Sequence, residues 1–220
     1  MTNYLNWKQE TITDVSAEHI TNMYNQGFVF TRRGKGAMDQ TRSMRIDLNQ
    51  FKLTSENKRI LRKTADISLS THTIPYSDYH WSIGKVAKDF YETKFGKKTF
   101  SANAVKKCLT NAKETNFTTL LVYKKDDTVI GYAISYENTD ILHYSYPFYL
   151  LDFPNNNLGM GMMVKAIVHA KETGKKHIYL GSAQRKSDVY KLQFKRLQWF
   201  TGKIWCDDLE ALKHILNTTS

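Results

Sequence analysis

The stretch from Phe153 to Gly161, Phe-Pro-Asn-Asn-Asn-Leu-Gly-Met-Gly, constrains this chain more than any other. A strand is predicted to end before it, near Leu150. A helix is predicted after it, because Met163, Val164, Ile167 and Ala170 recur at helical spacing while Lys165, His169 and Glu172 fall on the other face. A chain that leaves a strand through an Asn-rich turn and enters a helix on Gly159 and Gly161 can form a phosphate cradle. The glycines let a ligand approach the backbone, and the free N–H groups of a helix start favour an anion. The same glycines also suit a plain tight turn from strand to helix. Beyond this helix the order is a short apolar strand at Ile178-Tyr-Leu180, a helix carrying Tyr190 and Lys191, and an aromatic strand with Trp199 and Trp205.

Upstream, Ala17–Tyr24 reads as a helix ended by Gly27, Phe28–Phe30 as a strand, and Gly34–Gln40 as a loop. In Ser43–Phe51 the alternation puts Met44, Ile46, Leu48 and Phe51 inward, with Arg45 and Asp47 facing the other way. Thr54 or Ser55 caps a basic helix around Ile60 and Leu61. Pro75 marks a loop. A helix from about Asp78 to Phe95 buries Trp81, Val86, Phe90 and Tyr91 and ends at Gly96, and Ser101 caps another with Val105, Cys108 and Leu109. Thr118–Tyr123 and Val129–Tyr136 form a hairpin, and Asp140–Leu150 adds a third antiparallel strand. Asp207-x-x-Glu210 reads as a capping box for a last helix with Leu209, Leu212 and Ile215.

The formal net charge of +11 is concentrated. Arg32–Lys63 carries ten basic and three acidic residues, and Arg185–Lys203 six basic residues against Asp188. Clusters of this kind favour phosphate-rich partners through counterion release, and they also serve as solvated faces. No apolar run approaches the length of a membrane span, and the first residues lack the layout of a signal peptide. Cys108 and Cys206 form no Cys-x-x-Cys pair, and His143, His169 and His177 show no ligand spacing, so no metal is assigned. A cytoplasmic protein is the simplest expectation.

Asn156-x-x-Gly159-x-Gly161 resembles the pyrophosphate loop of the GNAT acyltransferases, and the helix and strand order after it is that of the GNAT core. A second resemblance is more specific. Arg32-Arg33, Arg45-Ile-Asp-Leu-Asn-Gln-Phe51 and Ser55-x-x-x-Arg59 resemble the N-terminal block of the N-end-rule aminoacyl-tRNA–protein transferases, the arginyltransferases and bacterial leucyltransferases. Asn157-Leu-Gly159, Tyr179-Leu-Gly181 and Ser187-Asp-Val-Tyr190-Lys191, then Phe194 and Trp205, resemble the C-terminal block in the same order. The family's N-terminal cysteine cluster is replaced by Gly34–Thr41, so any metal role there is not carried over. The aromatic residues after Tyr-Leu-Gly are replaced by Ser182-Ala-Gln, and Lys-Arg-Leu-Gln follows Phe194 where an acidic residue is usual. These departures leave donor and acceptor specificity open.

The resemblance implies an α+β fold, a GNAT-like core with a mixed, largely antiparallel sheet flanked by helices. It implies a basic N-terminal subdomain over residues 1–75 and a catalytic core over 76–220. The implied reaction moves an amino acid from charged tRNA to the N-terminal amine of a protein or peptide, with aminoacyl-tRNA as co-substrate and no required cofactor. Tyr190 is the expected proton donor or orienter for the leaving oxygen. It also shares an i, i+4, i+7 face with Phe194 and Leu197, which would make it core. Lys191 is the second catalytic candidate; one position on, it should face elsewhere, towards tRNA phosphate, the terminal adenosine or solvent. Asn156, Asn157, Leu158, Gly159, Met160 and Gly161 form the donor-binding loop. Arg32, Arg33, Arg45, Arg59 and Tyr179 are candidates for tRNA or acceptor, since a guanidinium fork suits phosphate and carboxylate. Arg45 can instead pair with Asp47, and Asp188 is expected to cap the Tyr190 helix. Two other functions fit the same residues: a coenzyme-A-dependent N-acetyltransferase using acetyl-CoA, and a non-catalytic RNA-binding module.

Overall fold

The computed structural model describes residues 4–218. The elements in chain order are β1 (Lys8–Thr11), α1 (Ala17–Asn25), β2 (Phe28–Phe30), β3 (Ala37–Gln40), β4 (Ser43–Asp47), α2 (Ser55–Lys63) and β5 (Ile67–Thr73). Then come α3 (Trp81–Phe95), α4 (Ala102–Thr110), β6 (Thr119–Lys125), β7 (Thr128–Glu137), β8 (Ile141–Tyr149), α5 (Leu158–Glu172) and β9 (His177–Ser182). A 3₁₀ helix (Lys186–Gln193), β10 (Leu197–Phe200), β11 (Trp205–Cys206) and α6 (Leu209–Thr218) complete the chain. One sheet has the order β11-β10-β4-β9-β8-β7-β6-β5, and a smaller one the order β1-β3-β2. In the large sheet only β8 and β9 run parallel, so it is mixed and largely antiparallel, as expected.

The alternation read in Ser43–Phe51 holds: Met44, Ile46, Leu48 and Phe51 are all buried. They face a layer built with α2, α5 and α6, whose apolar residues include Ile60, Val164, Ile167 and Leu212. The opposite face of the sheet is covered by α1, α3, α4 and the small sheet, through Tyr24, Phe30, Ile83, Phe90 and Leu109. Each fully buried side chain of this size contributes about 1.5–3 kcal/mol. The N-terminal block is woven into the sheet, because β4 lies between β10 and β9.

The structure corrects three expectations and adds one strand. The segment read as a loop ends in β3, which pairs with both β1 and β2. The polar run Ile67–Thr73, left unassigned, is the edge strand β5, whose mostly exposed side chains hide its alternation. Trp81 opens α3 and is 65% exposed, because His80 is the cap and the apolar stripe begins at Ile83. Asp208 rather than Asp207 caps α6, accepting from the Ala211 N–H at 2.9 Å. Ser101, Thr54 and Gly96 cap as expected.

Candidate active site

The parallel pair β8 and β9 is joined over a short register only, from Ile141 opposite His177 to His143 opposite Tyr179. Past that point the strands part. Two irregularities bend them. On β8, Ser145 is an extra residue between Tyr144 and Tyr146, which pair with Ser135 and Ile134 of β7. The bulge turns Tyr144 towards the α5 layer and Tyr146 towards the α3–α4 layer. On β9, Leu180 and Gly181 stand against the single residue Met44 of β4, and Gly181 has φ +75°. The result is a wedge between Tyr144–Tyr149 on one side and Leu180–Ser182 on the other.

The 3₁₀ helix closes the β9 side. Asp188 accepts from the backbone N–H of Gln184 at 2.9 Å and of Arg185 at 3.0 Å, as the expected cap. Because the helix is 3₁₀ rather than α, Tyr190 leaves the face of Phe194 and Leu197. Those two are buried, while Tyr190 is 46% exposed. The phenol of Tyr190 is close to Tyr91, Tyr144 and Tyr149, whose hydroxyl pKa values are raised by burial first and by Tyr190 in addition. Lys191 turns inward and is only 8% exposed. Its Nζ donates to the Ser182 carbonyl at 3.2 Å and stands 3.5 Å from Asp188. The Ser182 hydroxyl in turn bonds Tyr4 at 2.8 Å.

The start of α5 forms the other side of the wedge. Asn155, not Asn156, organises the turn: its Oδ1 accepts from Asn157 N–H at 2.9 Å, and its Nδ2 donates to the Lys63 carbonyl. Asn157 is the N-cap residue but its side chain makes no cap bond. Leu158 N–H reaches the Asn155 carbonyl at 3.0 Å and Gly161 N–H the Asn157 carbonyl at 2.7 Å, while Gly159 and Met160 donate to no protein group among the described residues. The two glycines do different work. A Cβ on Gly159 would meet the Tyr149 ring at 3.0 Å, and one on Gly161 would meet Thr64 of the α2 cap at 2.5 Å. Gln193 joins this turn to the 3₁₀ helix, its Nε2 lying 3.6 Å from the Met160 sulfur and 2.7 Å from the Tyr190 carbonyl. Tyr144 is buried beside Tyr123, which donates to the Met162 carbonyl at 2.9 Å; the Tyr144 hydroxyl completes no hydrogen bond of ordinary geometry.

The remaining candidates are distributed over both layers. Arg32 donates to the Thr99 carbonyl and lies 4.3 Å over the Phe100 ring. Arg33 pairs with Asp39. Arg45 does not pair with Asp47. It bonds Gln198 at 2.9 Å and Asn25 at 3.1 Å, with its guanidinium 4.0 Å over Trp205. Tyr179 is fully buried between Tyr24 and Trp205. Arg59 is across the sheet on α2, paired with Glu56 at 2.5 Å. His143, given no role from the sequence, is buried behind the wedge with Nδ1 2.9 Å from the Tyr24 hydroxyl. Burial, with a smaller contribution from Lys191, lowers its pKa to about 3, so it is neutral at pH 7. Burial raises the Cys108 thiol to about 11.

Tyr4 and the Ser145 bulge belong to the wedge and carry no signal in the sequence, where Ser182 stands out only as a departure from the family's pattern. A bulge leaves no mark in a run as aromatic as Tyr144–Tyr149. Among the described residues no group of three or more His, Cys, Asp or Glu is placed to hold a metal ion. No helix among them is long and apolar enough to cross a membrane. An open hollow lined by Asn22, Asn25, Asn138 and Asp140 lies beside α1 and contains no residue of the wedge.

Residues 72–201 match the family described as arginine-tRNA-protein transferase, C terminus. The aspartate/glutamate leucyltransferase of Alkalilimnicola ehrlichii is 24% identical over 209 residues, which is 90% of this chain and 86% of that protein. Among solved structures, L-PGS from Bacillus licheniformis is 12% identical with a TM-score of 0.49, covering 76% of this chain and 52% of that one. A GCN5-related glucosamine N-acetyltransferase region of a fungal multi-domain GH3 β-N-acetylglucosaminidase is 12% identical with a TM-score of 0.46, covering 86% and 22%.

Proposed function

The chain belongs to the arginine-tRNA–protein transferase family and transfers an amino acid from charged tRNA to a protein N-terminus; from that premise we propose that the wedge between β8 and β9 is where the transfer takes place. The observation that carries the proposal is the convergence there of the half-exposed Tyr190 and the unpaired amides of Gly159 and Met160. In this reading the neutral α-amine of the acceptor attacks the ester carbonyl of the aminoacyl-tRNA. The carbon–nitrogen bond forms, the carbon–oxygen bond to the ribose breaks, the amine gives up a proton and the leaving ribose oxygen gains one. Tyr190 supplies or steers the proton to that oxygen. The cradle amides at Gly159 and Met160, reached through the Asn156–Gly161 turn, hold the terminal nucleotide or polarise the carbonyl.

An α-amino group with a pKa near ~8 is partly neutral at neutral pH, so holding the two reactants in line supplies much of the rate. Lys191 acts on the reaction by fixing the junction of β9 with the 3₁₀ helix and hence the position of Tyr190. Residues 1–75 add the basic flank, in which Arg32 is the candidate for RNA contact whose guanidinium has no carboxylate or side-chain amide partner, and 76–220 hold the catalytic residues. Arg45 and Tyr179 support the back wall of the wedge. Aminoacyl-tRNA is the co-substrate and the reaction as written requires no cofactor. In this proposal the acceptor is a protein or peptide beginning with an acidic residue, a reading that the name of the leucyltransferase relative supports, and both substrates meet in the cytoplasm.

Tyr190→Phe tests the assignment. In single-turnover transfer the chemical step should slow about 10²–10⁴-fold with little change in the KM for aminoacyl-tRNA. An unchanged chemical step, with only a lowered Tm, would return Tyr190 to a packing role.

A further inference from the structure

The C-terminal end of α3 carries an aromatic ring that the fold does not need to expose. Phe95 is 48% exposed. One side of it is stacked with Tyr91, centroids 5.6 Å apart at 30°. The guanidinium of Arg185 lies over the ring, 5.6 Å from its centroid, and Arg185 is the cap residue of the 3₁₀ helix bearing Tyr190. Next to Phe95 in the chain are the exposed cations Lys94, Lys97 and Lys98, and Arg32 lies over the ring of Phe100. Among the described residues none of these five cations is within ion-pair distance of a carboxylate. Arg33, Arg59, Lys85 and Lys107, by contrast, are each paired with an acid.

From this arrangement we propose that the end of α3 is a stacking platform for the single-stranded 3′ end of the donor RNA, with a base on Phe95 and its phosphates against Arg185, Lys94, Lys97 and Lys98. The assignment rests on the wedge being the transfer site. A half-exposed ring with a guanidinium over it and cations without acid partners beside it matches a nucleobase joined to phosphates: Arg185 can move from the ring to a phosphate and leave its place to a base, since every base offers a π-face and each phosphate a charge. An acidic peptide would need the guanidinium forks but would leave the exposed ring unused. The position also fits. Tyr91 joins Phe95 to the Pro147 carbonyl of β8 at 3.1 Å, and Arg185 joins it to the 3₁₀ helix, so a base on Phe95 sits at the mouth of the wedge. The ester at the end of that strand then reaches Tyr190.

The test uses the full chain and two acceptor-stem hairpins, one with its single-stranded 3′ nucleotides and one without. Wild-type protein should bind the first about 5- to 100-fold more tightly. Phe95→Leu, which keeps an apolar side chain but loses the ring, should remove that preference and leave binding of the blunt hairpin unchanged. Arg185→Gln should lower the slope of log affinity against log salt by about 0.7. With charged tRNA, Phe95→Leu should raise the KM for tRNA about tenfold and leave the KM for peptide alone. Phe95→Leu binding both hairpins as wild type does would overturn the proposal. Failure of the wild type to transfer from any charged tRNA would refute the functional reading instead, and the hairpin comparison would still decide the platform.

Discussion

The backbone of Gly161 lies against Thr64, so closely that a methyl group added to the glycine would fall 2.5 Å from the threonine Cγ2. The second glycine of the cradle is therefore a packing residue, letting α5 approach the end of α2. Gly161→Ala should destabilise the protein by about 1–3 kcal/mol through overpacking. The double change with Thr64→Ala should recover part of the loss, and urea denaturation of the three variants measures the coupling. Additive losses would show that the contact does not govern the site. Gly159→Ala should instead disturb the Tyr149 ring and be felt more in donor affinity than in stability.

From the sequence Lys191 is a catalytic candidate facing tRNA phosphate, the terminal adenosine or solvent; its buried bond to the Ser182 carbonyl implies a positioning role with different kinetics. Lys191→Met should lower kcat about 10- to 100-fold by displacing the 3₁₀ helix and Tyr190. It should also lower stability by about 1–3 kcal/mol, since the Ser182 carbonyl loses its donor. Loss of a phosphate contact would leave kcat intact and raise the KM for tRNA in a salt-dependent way. Steady-state kinetics at two salt concentrations separate the two.

His143 gives a stability prediction with a defined sign. Its pKa is lowered from 6.5 to about 3 by burial and, less, by Lys191. Between those values the unfolded chain binds a proton that the folded chain refuses, so stability falls as pH falls through this window, by up to about 1.4 kcal/mol per pH unit. His177, lowered to about 4 by burial first, acts in the same direction. His143→Gln keeps a hydrogen-bonding partner for Tyr24 and cannot titrate. Its Tm should decline less steeply than wild type from pH 6.5 to about 4.5. Equal slopes would mean that the folded protein admits the proton.

Much of the fold was legible because its signals are local. The alternation of Met44, Ile46 and Leu48, the caps at Thr54 and Ser101, and the hairpin at Thr118–Tyr136 follow from strand period, capping chemistry and turn residues. The order of strand, cradle, helix and short apolar strand was legible for the same reason. What stayed hidden depends on contacts between distant segments. The Ser145 bulge and the bend at Leu180–Gly181 are set by β7 and β4, and they make the wedge. The inward turn of Lys191 needs a 3₁₀ helix, whose three-residue period an α-helical reading of Tyr190, Phe194 and Leu197 overrides. The edge strand β5 was missed because its exposed Ser and Thr residues lack a buried face. Of the four candidate arginines, only Arg32 keeps a guanidinium without an acid or side-chain amide partner, and no sequence spacing distinguishes it from Arg33.

The most direct test is a transfer assay with purified leucyl-tRNA and arginyl-tRNA carrying labelled amino acids. Acceptor peptides would begin with Asp, Glu, Arg, Lys or unmodified Cys, beside a parallel arm with labelled acetyl-CoA. Label should pass from one charged tRNA to the α-amine of the Asp and Glu peptides, and prior ribonuclease treatment should abolish it. Label passing only from acetyl-CoA would contradict the account and make the cradle a coenzyme site. Silence in both arms, with salt-sensitive tRNA binding, would contradict it too and leave a protein that binds charged RNA without reacting.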